Sequence, residues 1–414
     1  MTTSAFFSPA RPTILRRLQD GPLGLYIDEY AARLVEQGLG RSTGKRTLRL
    51  IADLSRWLER KGLGIDELNE ATLQQYRRFR ARTRPLGFGD PIALRRFLGS
   101  MRELDICLTP SSTPLSSRAE VQEDFNRYLS QDIGLSARTL EHYAELLDPF
   151  LREQVGPDGP HWSRLTGAEV VRFFRRCARR RTPQYLQRLR TALRSFLRYL
   201  QYRGEINTDL SGCIPRVTRW RLANVPKYLS AAQVQRVLDG CDRNTAVGKR
   251  DYAILLLLAR LGLRAKEVAT LGLDDVDWPA GQLRLQGKGA QQAVMPLPCE
   301  VGRAIADYLQ HGRPRSQSRR IFLRRNAPLI GFAKSSCISA VVRIAFERAG
   351  VDSPSKGAHV LRHTLATQML RNGASLRQIG HLLRHRRSDT TLIYAKVDLP
   401  TLRSVALPWP ECTR

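Results

Sequence analysis

The chain has 414 residues, 42% of them apolar, and its 68 Lys and Arg against 38 Asp and Glu give a net charge of +30. That length allows two or three domains with sizeable cores, and that charge points to a polyanionic partner, DNA or RNA. The longest apolar run, Ala253 to Ala259, excludes a membrane span. Seven scattered cysteines without Cys-x-x-Cys spacing speak against a disulfide framework and a zinc knuckle. No secretory h-region opens the chain, so a soluble cytoplasmic protein is expected.

Residues 1 to about 22 read as a loose basic lead-in. Leu25, Tyr26, Tyr30 and Leu34 then recur at helical spacing until Gly38-Leu39-Gly40 stops the helix. Ser42 or Thr43 is placed to cap a second helix, with Leu48, Ile51, Leu54, Trp57 and Leu58 on its apolar face and Gly62 and Gly64 at its end. A third helix carries Leu68, Leu73, Tyr76 and Phe79. A fourth, opening at Asp90-Pro91, carries Ile92, Leu94, Phe97 and Leu98. The string LTPSSTPLSSR at 108–118 has the composition of a linker.

The pattern then repeats. Phe125, Tyr128 and Leu129 make a helix face that Gly134-Leu135 ends, and Ser136 is placed to cap a helix with Leu140, Tyr143, Leu146, Leu147 and Phe150. Leu165, Val170 and Phe173 answer Leu68, Leu73 and Tyr76, and ALRSFLRYL at 192–200 answers ALRRFLGSM at 93–101. We read residues 1–107 and 119–204 as two copies of one four-helix unit. A chance match between two generic helical bundles is the plainer alternative.

Ten arginines fall from Arg172 to Arg198, and Arg313, Arg315, Arg319, Arg320, Arg324 and Arg325 form a second group. The guanidinium fork fits phosphate oxygens. On the helix near 190, Arg188, Arg194 and Arg198 alternate with Leu189, Leu193 and Leu197, a buried stripe beside a cationic one, as a helix against a phosphate backbone needs. Residues 205–227 then read as an extended basic linker suited to crossing a duplex, with Arg216, Arg219 and Lys227 as further DNA contacts.

A last domain, 228–414, opens with Ser230 as the N-cap of its first helix. ILLLLARLGLR ends an apolar helix in a turn at Arg264, and Glu267 follows three residues on. Leu283 and Leu285, a Gly-Lys-Gly turn at Lys288, then Val294 and Pro296 read as a hairpin. His359 and Arg362 share a helix face. His385 follows Leu376, Ile379, Leu382 and Leu383, and Tyr394 comes after a small polar run. A phenol, with a pKa of about 10, attacks well only with a base nearby and cations on the phosphate, so these groups form a kit for phosphoryl transfer. The same stretch also fits an ordinary amphipathic helix with surface histidines. The pairs His359/His363 and His381/His385 fit two metal ligands on one face, but no Glu stands between them and no Cys lies close, so no metal is assigned.

Together these motifs resemble the tyrosine recombinase (phage integrase) family. The resemblance runs from Tyr228 to about Val397. It rests on Leu-Gly-Leu-Arg-x-x-Glu around Arg264, Gly-Lys-Gly around Lys288, His-x-Leu-Arg-His at 359–363, Leu-x-His at 383–385 and Ile-Tyr at 393–394. The chain departs from the family at Arg384, where glycine is usual. The resemblance implies a mainly α fold with a small β-hairpin sheet in the catalytic domain, preceded by helical SAM-like DNA-binding domains, of which 119–204 is the core-binding one. It implies strand exchange in double-stranded DNA through a covalent phosphotyrosine. Tyr394 is then the nucleophile, Arg264 and Arg362 hold the phosphate, and Lys288 is the general acid. His359 is the base, His385 donates to a phosphate oxygen, and Glu267 holds the geometry. No cofactor, metal ion or ATP is called for. The implied assembly is a homo-tetramer on DNA or a complex with related recombinases, and the implied setting a mobile element. The apolar tail positions Leu402, Val405, Ala406 and Trp409 either fold back or dock on a neighbouring subunit. A type IB topoisomerase-like enzyme and a catalytically idle DNA-binding accessory protein are the alternatives, with an RNA-binding helical protein as the plainest.

Overall fold

The computed structural model describes residues 2–7, 12–83, 85–87, 89–104, 106, 117–156, 159–160, 162–217, 226–286, 292–385 and 387–397. Lys288, Arg219 and the expected apolar tail lie outside them. The chain makes two compact units, 1–108 together with 224–414, and 109–223. Helices dominate both, and the strands are few and short.

The described part of the expected loose lead-in, 2–7 and 12–22, is folded. Helix α1 (Pro12–Gln19) forms there, and Phe6, Phe7 and Leu18 bury in the core of the helices that follow. The stretch is basic, with Arg11, Arg16 and Arg17, but burying each apolar side chain is worth roughly 1.5–3 kcal/mol, and that decides where it goes. Then come α2 (Ile27–Glu36), α3 (Arg41–Lys61), α4 (Glu70–Thr83) and α5 (Asp90–Glu103). Neither Ser42 nor Thr43 caps α3. Gly40 is the N-cap, with extended backbone and no side-chain bond, and the two hydroxyl residues lie inside the first turn. Tyr30 meets Phe97 edge-on in this core, ring centroids 4.9 Å apart. One loop of the C-terminal half seats here. Leu329 N–H donates to Gln37 O at 3.0 Å, and the Leu329 side chain covers Gly38, whose φ is 73°. Close approach and left-handed backbone both demand glycine at that position.

The second unit repeats the helix order with α6 (Ser117–Gln131), α7 (Ala137–Gln154), α8 (Gly167–Ala178) and α9 (Pro183–Tyr202). A short hairpin of β1 (Val155–Gly156) and β2 (Gly159–Pro160) stands between α7 and α8. Ser136 is the N-cap of α7, yet its Oγ pairs with Thr139 Oγ1 at 3.0 Å rather than with a backbone N–H. Phe125 meets Phe196 edge-on at 5.1 Å, as Tyr30 meets Phe97 in the first set of helices. On α9, Leu189, Leu193 and Leu197 are buried, Arg188 and Arg198 exposed, and Arg194 half-buried. Part of the expected linker is folded, since Ile206, Leu210 and Ile214 bury in this unit's core. Arg216 is exposed.

The C-terminal half continues with α10 (Ala231–Asp239), α11 (Ala246–Arg260) and α12 (Ala265–Thr270). A sheet follows, of β3 (Val276–Asp277), β4 (Gln282–Gln286) and β5 (Gln292–Pro296), antiparallel in that order. Then come α13 (Cys299–His311), α14 (Ser335–Arg348), α15 (His359–Arg371) and α16 (Leu376–Leu382). Ser230 caps α10, with Gln233 completing a capping box. Residues Ala253 to Leu258 of α11 are fully buried, which is why the apolar run there has no helical period: a central helix needs no polar face. The hairpin register pairs Leu283 with Met295 and Leu285 with Ala293. Met295 therefore joins the two leucines in the core, while Val294 and Pro296, the residues that suggested the second strand, are exposed. Which strand face turns inward is fixed by the pairing register, and one residue of slip reverses it.

Candidate active site

Helix α11 ends at Arg260. Gly262, with φ 57°, turns the chain so that Arg264 stands as the N-cap residue of α12. Glu267, one turn on, holds it. Its Oε2 accepts from the Arg264 backbone N–H at 2.8 Å and its Oε1 from Arg264 Nη1 at 2.7 Å. Glu267 is buried, and burial pushes its pKa up. The Arg264 N–H, the Arg384 charge and the Arg264 guanidinium outweigh that and leave it below the usual carboxylate range.

Arg362, on the first turn of α15, is buried at 5% exposure. Its Nη1 donates to Gly262 O and its Nη2 to Leu383 O. Arg264 Nη2 donates to the next carbonyl, Arg384 O, at 3.2 Å. The two guanidiniums thus end on adjacent carbonyls of one turn. Burial, then the charges of Arg264 and Arg384, bring the Arg362 pKa down to about 10. A Cβ at Gly262 would stand 2.8 Å from Leu383 Cδ2 and 3.0 Å from Leu365 Cδ2, in a left-handed residue. Gly262→Ala is therefore expected to cost ~1–3 kcal/mol, read as a lower urea midpoint at unchanged slope.

Tyr394 lies in the 3-10 segment Leu392–Val397 and packs with Ala366, Ile379 and Leu383 in a small core of its own. Its phenol oxygen is 2.9 Å from His363 Nδ1. Burial pushes the phenol up to about 12, against the pull of Arg362. His359 stands one turn before His363, ring centroids 6.5 Å apart, and is exposed. The protein packed around it, then the charges of Arg362 and Arg264, hold it below the ordinary imidazole value. Burial, His359 and Arg362 do the same to His363. His385 Nδ1 is 2.8 Å from Thr391 Oγ1. Burial, then Arg362 and Arg264, take its pKa down to about 4.

A histidine depressed in the folded chain binds protons more readily once unfolded. Its stabilising contribution is present above the unfolded pKa of about 6.5 and is lost as pH falls toward the folded value. The melting temperature is expected to drop steeply from pH 7 to about 4, and His385→Asn to make that limb shallower in the same scan.

Of the residues singled out in the sequence, Arg264, Glu267, His359, Arg362, His385 and Tyr394 gather around the start of α12, the first turn of α15 and the turn after α16. Lys288 lies outside the described residues, between β4 and β5. Lys227 donates to Pro354 O at 3.1 Å, and Arg188, Arg194, Arg198 and Arg216 belong to the other unit. The sequence reading missed His363, Arg384 and Thr391. His363 was visible as the i+4 neighbour of His359 and the end of the His-x-Leu-Arg-His motif but was given no role, and Arg384 only as a departure from a motif. Among the described residues no three metal-type side chains cluster.

Residues 227–399 match the phage integrase family, and residues 123–204 match the phage integrase N-terminal SAM-like domain. The chain is 41% identical to y4rA, named as an integrase/recombinase of Sinorhizobium fredii, over 96% of this chain and 97% of that one. It is 31% identical to the tyrosine recombinase XerD of Listeria monocytogenes, over 68% of this chain and 96% of the relative. The crystal structure of the XerH site-specific recombinase bound to palindromic difH substrate has the same fold, with a TM-score of 0.54 and 17% identity over 75% of this chain and 92% of that one. Similarity along nearly the whole length, the matched domains and the fold agree, and the chain belongs to the tyrosine recombinase (phage integrase) family.

Proposed function

We propose that this chain is a site-specific recombinase that cuts and rejoins double-stranded DNA through a 3′-phosphotyrosine bond at Tyr394. Its setting is a mobile element in the cytoplasm, and it works as a tetramer or with related recombinases. The observation that carries this reading is the turn where Arg264 and Arg362 end on adjacent carbonyls, beside a phenol hydrogen-bonded to an imidazole.

Tyr394 Oη attacks the phosphorus in line. The new O–P bond forms as the bond to the 5′-oxygen breaks. The phenol proton passes to an imidazole, and Lys288 protonates the departing oxygen. A 5′-hydroxyl from another strand reverses the step. The phosphate stays in an ester throughout, so ATP has no part. Charge gathering on the non-bridging oxygens meets the forks of Arg264 and Arg362, which does the work that a metal ion does elsewhere. His363 holds the resting phenol, and His359 takes the proton once the phenol swings to the phosphate. If His385 Nδ1 accepts the Thr391 hydroxyl, its Nε2–H is left to donate to a phosphate oxygen. Glu267 sets the pose of Arg264.

The shared helix order and the matching edge-on aromatic pairs support reading residues 1–107 as a copy of the core-binding domain at 119–204. The cationic side of α9, with Arg188, Arg194 and Arg198, and the basic residues Arg216, Arg219 and Lys227 supply the phosphate contacts of that domain and its linker.

The test is incubation with fragmented host DNA in EDTA without ATP, followed by denaturing electrophoresis and mapping. Protein joined to a 3′-phosphate at a few sequences is the expected result. No adduct, or efficient relaxation of plasmid at arbitrary sequence, sinks the reading, the second in favour of a topoisomerase.

A further inference from the structure

Arg384 makes contacts that the reaction as described does not use. It is the only non-glycine residue with positive φ among the described residues, at 53°, a conformation that glycine adopts without strain. Its side chain is nevertheless only 14% exposed, and both of its terminal nitrogens have partners. Nη2 lies 2.8 Å from Glu267 Oε2, Nη1 donates to Leu382 O at 3.2 Å, and Nη1 also rests against Met295 Sδ on β5. Its own carbonyl accepts from Arg264 Nη2 at 3.2 Å.

Arg384 therefore grips Arg264 twice. The carbonyl does so directly. The guanidinium does so through Glu267, whose other oxygen binds Arg264 Nη1. Three successive carbonyls, Leu382, Leu383 and Arg384, each take a different guanidinium: that of Arg384, of Arg362 and of Arg264. A fork aimed at a buried carboxylate, a carbonyl and a thioether is turned away from the solvent that a phosphate arrives through. Its place is behind Arg264, where its charge and fork fix a neighbour.

We propose that Arg384 is a positioning residue, which locks the Arg264 guanidinium in its phosphate-facing pose through Glu267 and ties that pose to strand β5. The proposal rests on reading Arg264 as a phosphate ligand.

The test uses the full chain with Arg384→Gly and Arg384→Lys. Glycine suits the left-handed backbone, so that variant folds. Arg384→Gly is expected to slow single-turnover adduct formation roughly 100-fold, the scale of a misplaced catalytic group, with DNA affinity within about twofold of the parent. Arg384→Lys, which keeps the charge without the fork, should fall between. The acid limb of the rate profile should move to higher pH in the glycine variant, because Glu267 loses a nearby cation. Cleavage within about threefold of the parent overturns the proposal, as does slow cleavage with equal loss of DNA binding. A parent that forms no adduct defeats the functional reading instead. The positioning role is then read from the nitrogen-15 guanidinium signals of Arg264, hindered in the parent and averaged in Arg384→Gly. Unchanged signals overturn it.

Discussion

Tyr394→Phe should bind DNA within about twofold of the parent and form no covalent adduct, because a single oxygen is removed and that oxygen is the proposed nucleophile. The ring is 1% exposed and packs against Ala366, Ile379 and Leu383, contacts that phenylalanine keeps. Among the described residues its hydroxyl meets only His363 Nδ1, so the variant loses one hydrogen bond, a matter of about 1 kcal/mol. Fold and DNA surface therefore survive. With the phenol held at about 12, free phenolate is negligible at neutral pH, and attack needs a base at the moment of reaction. Denaturing electrophoresis of a nicked suicide substrate reads the outcome. Protein still trapped on DNA in the variant removes Tyr394 from its role.

Truncating either arginine should slow cleavage by at least ~100-fold, about 3 kcal/mol of barrier, since in the proposed reaction each supplies a fork to charge that develops only in the transition state. The two variants should differ in stability. Arg264 has a side chain 38% exposed, and Arg264→Ala leaves solvent to replace it. Arg362 is nearly dry, and Arg362→Ala strands the carbonyls of Gly262 and Leu383, costing ~1–3 kcal/mol for each left without a donor. Thermal melts beside single-turnover cleavage separate the effects: both variants slow, only Arg362→Ala markedly less stable. Cleavage by either variant at the parent's rate defeats the clamp.

Much of this was legible in the residues themselves. The apolar faces of α3, α7 and α9 recur at helical period, and Ser230 sits where an N-cap must. Spacing alone put His359 with Arg362 on one helix face and set Glu267 three residues after Arg264. What stayed hidden depends on partners distant in the chain. The inward turn of Met295 follows from its pairing with Leu283, which the turn residues do not encode. Which imidazole meets the phenol depends on where the segment of Tyr394 lands against α15, and it lands at His363 rather than His359. The lead-in misled because its charges outnumber Phe6 and Phe7, while burial answers to the latter.

The carbonyls that hold Arg264 and Arg362 have a consequence for how the protein ages under selection. In the proposed reaction the Arg362 guanidinium has shed most of its water as the chain folds, and not at the encounter with DNA, so the scissile phosphate meets one donor already stripped and aimed beside a wetter Arg264. Capture of the substrate at Arg362 is, on that proposal, a trade of one oxygen for another. Mutations that tighten the resting turn make the phosphate a poorer competitor, and those that loosen it blunt the aim, so thermal hardiness and turnover pull against each other at these few atoms.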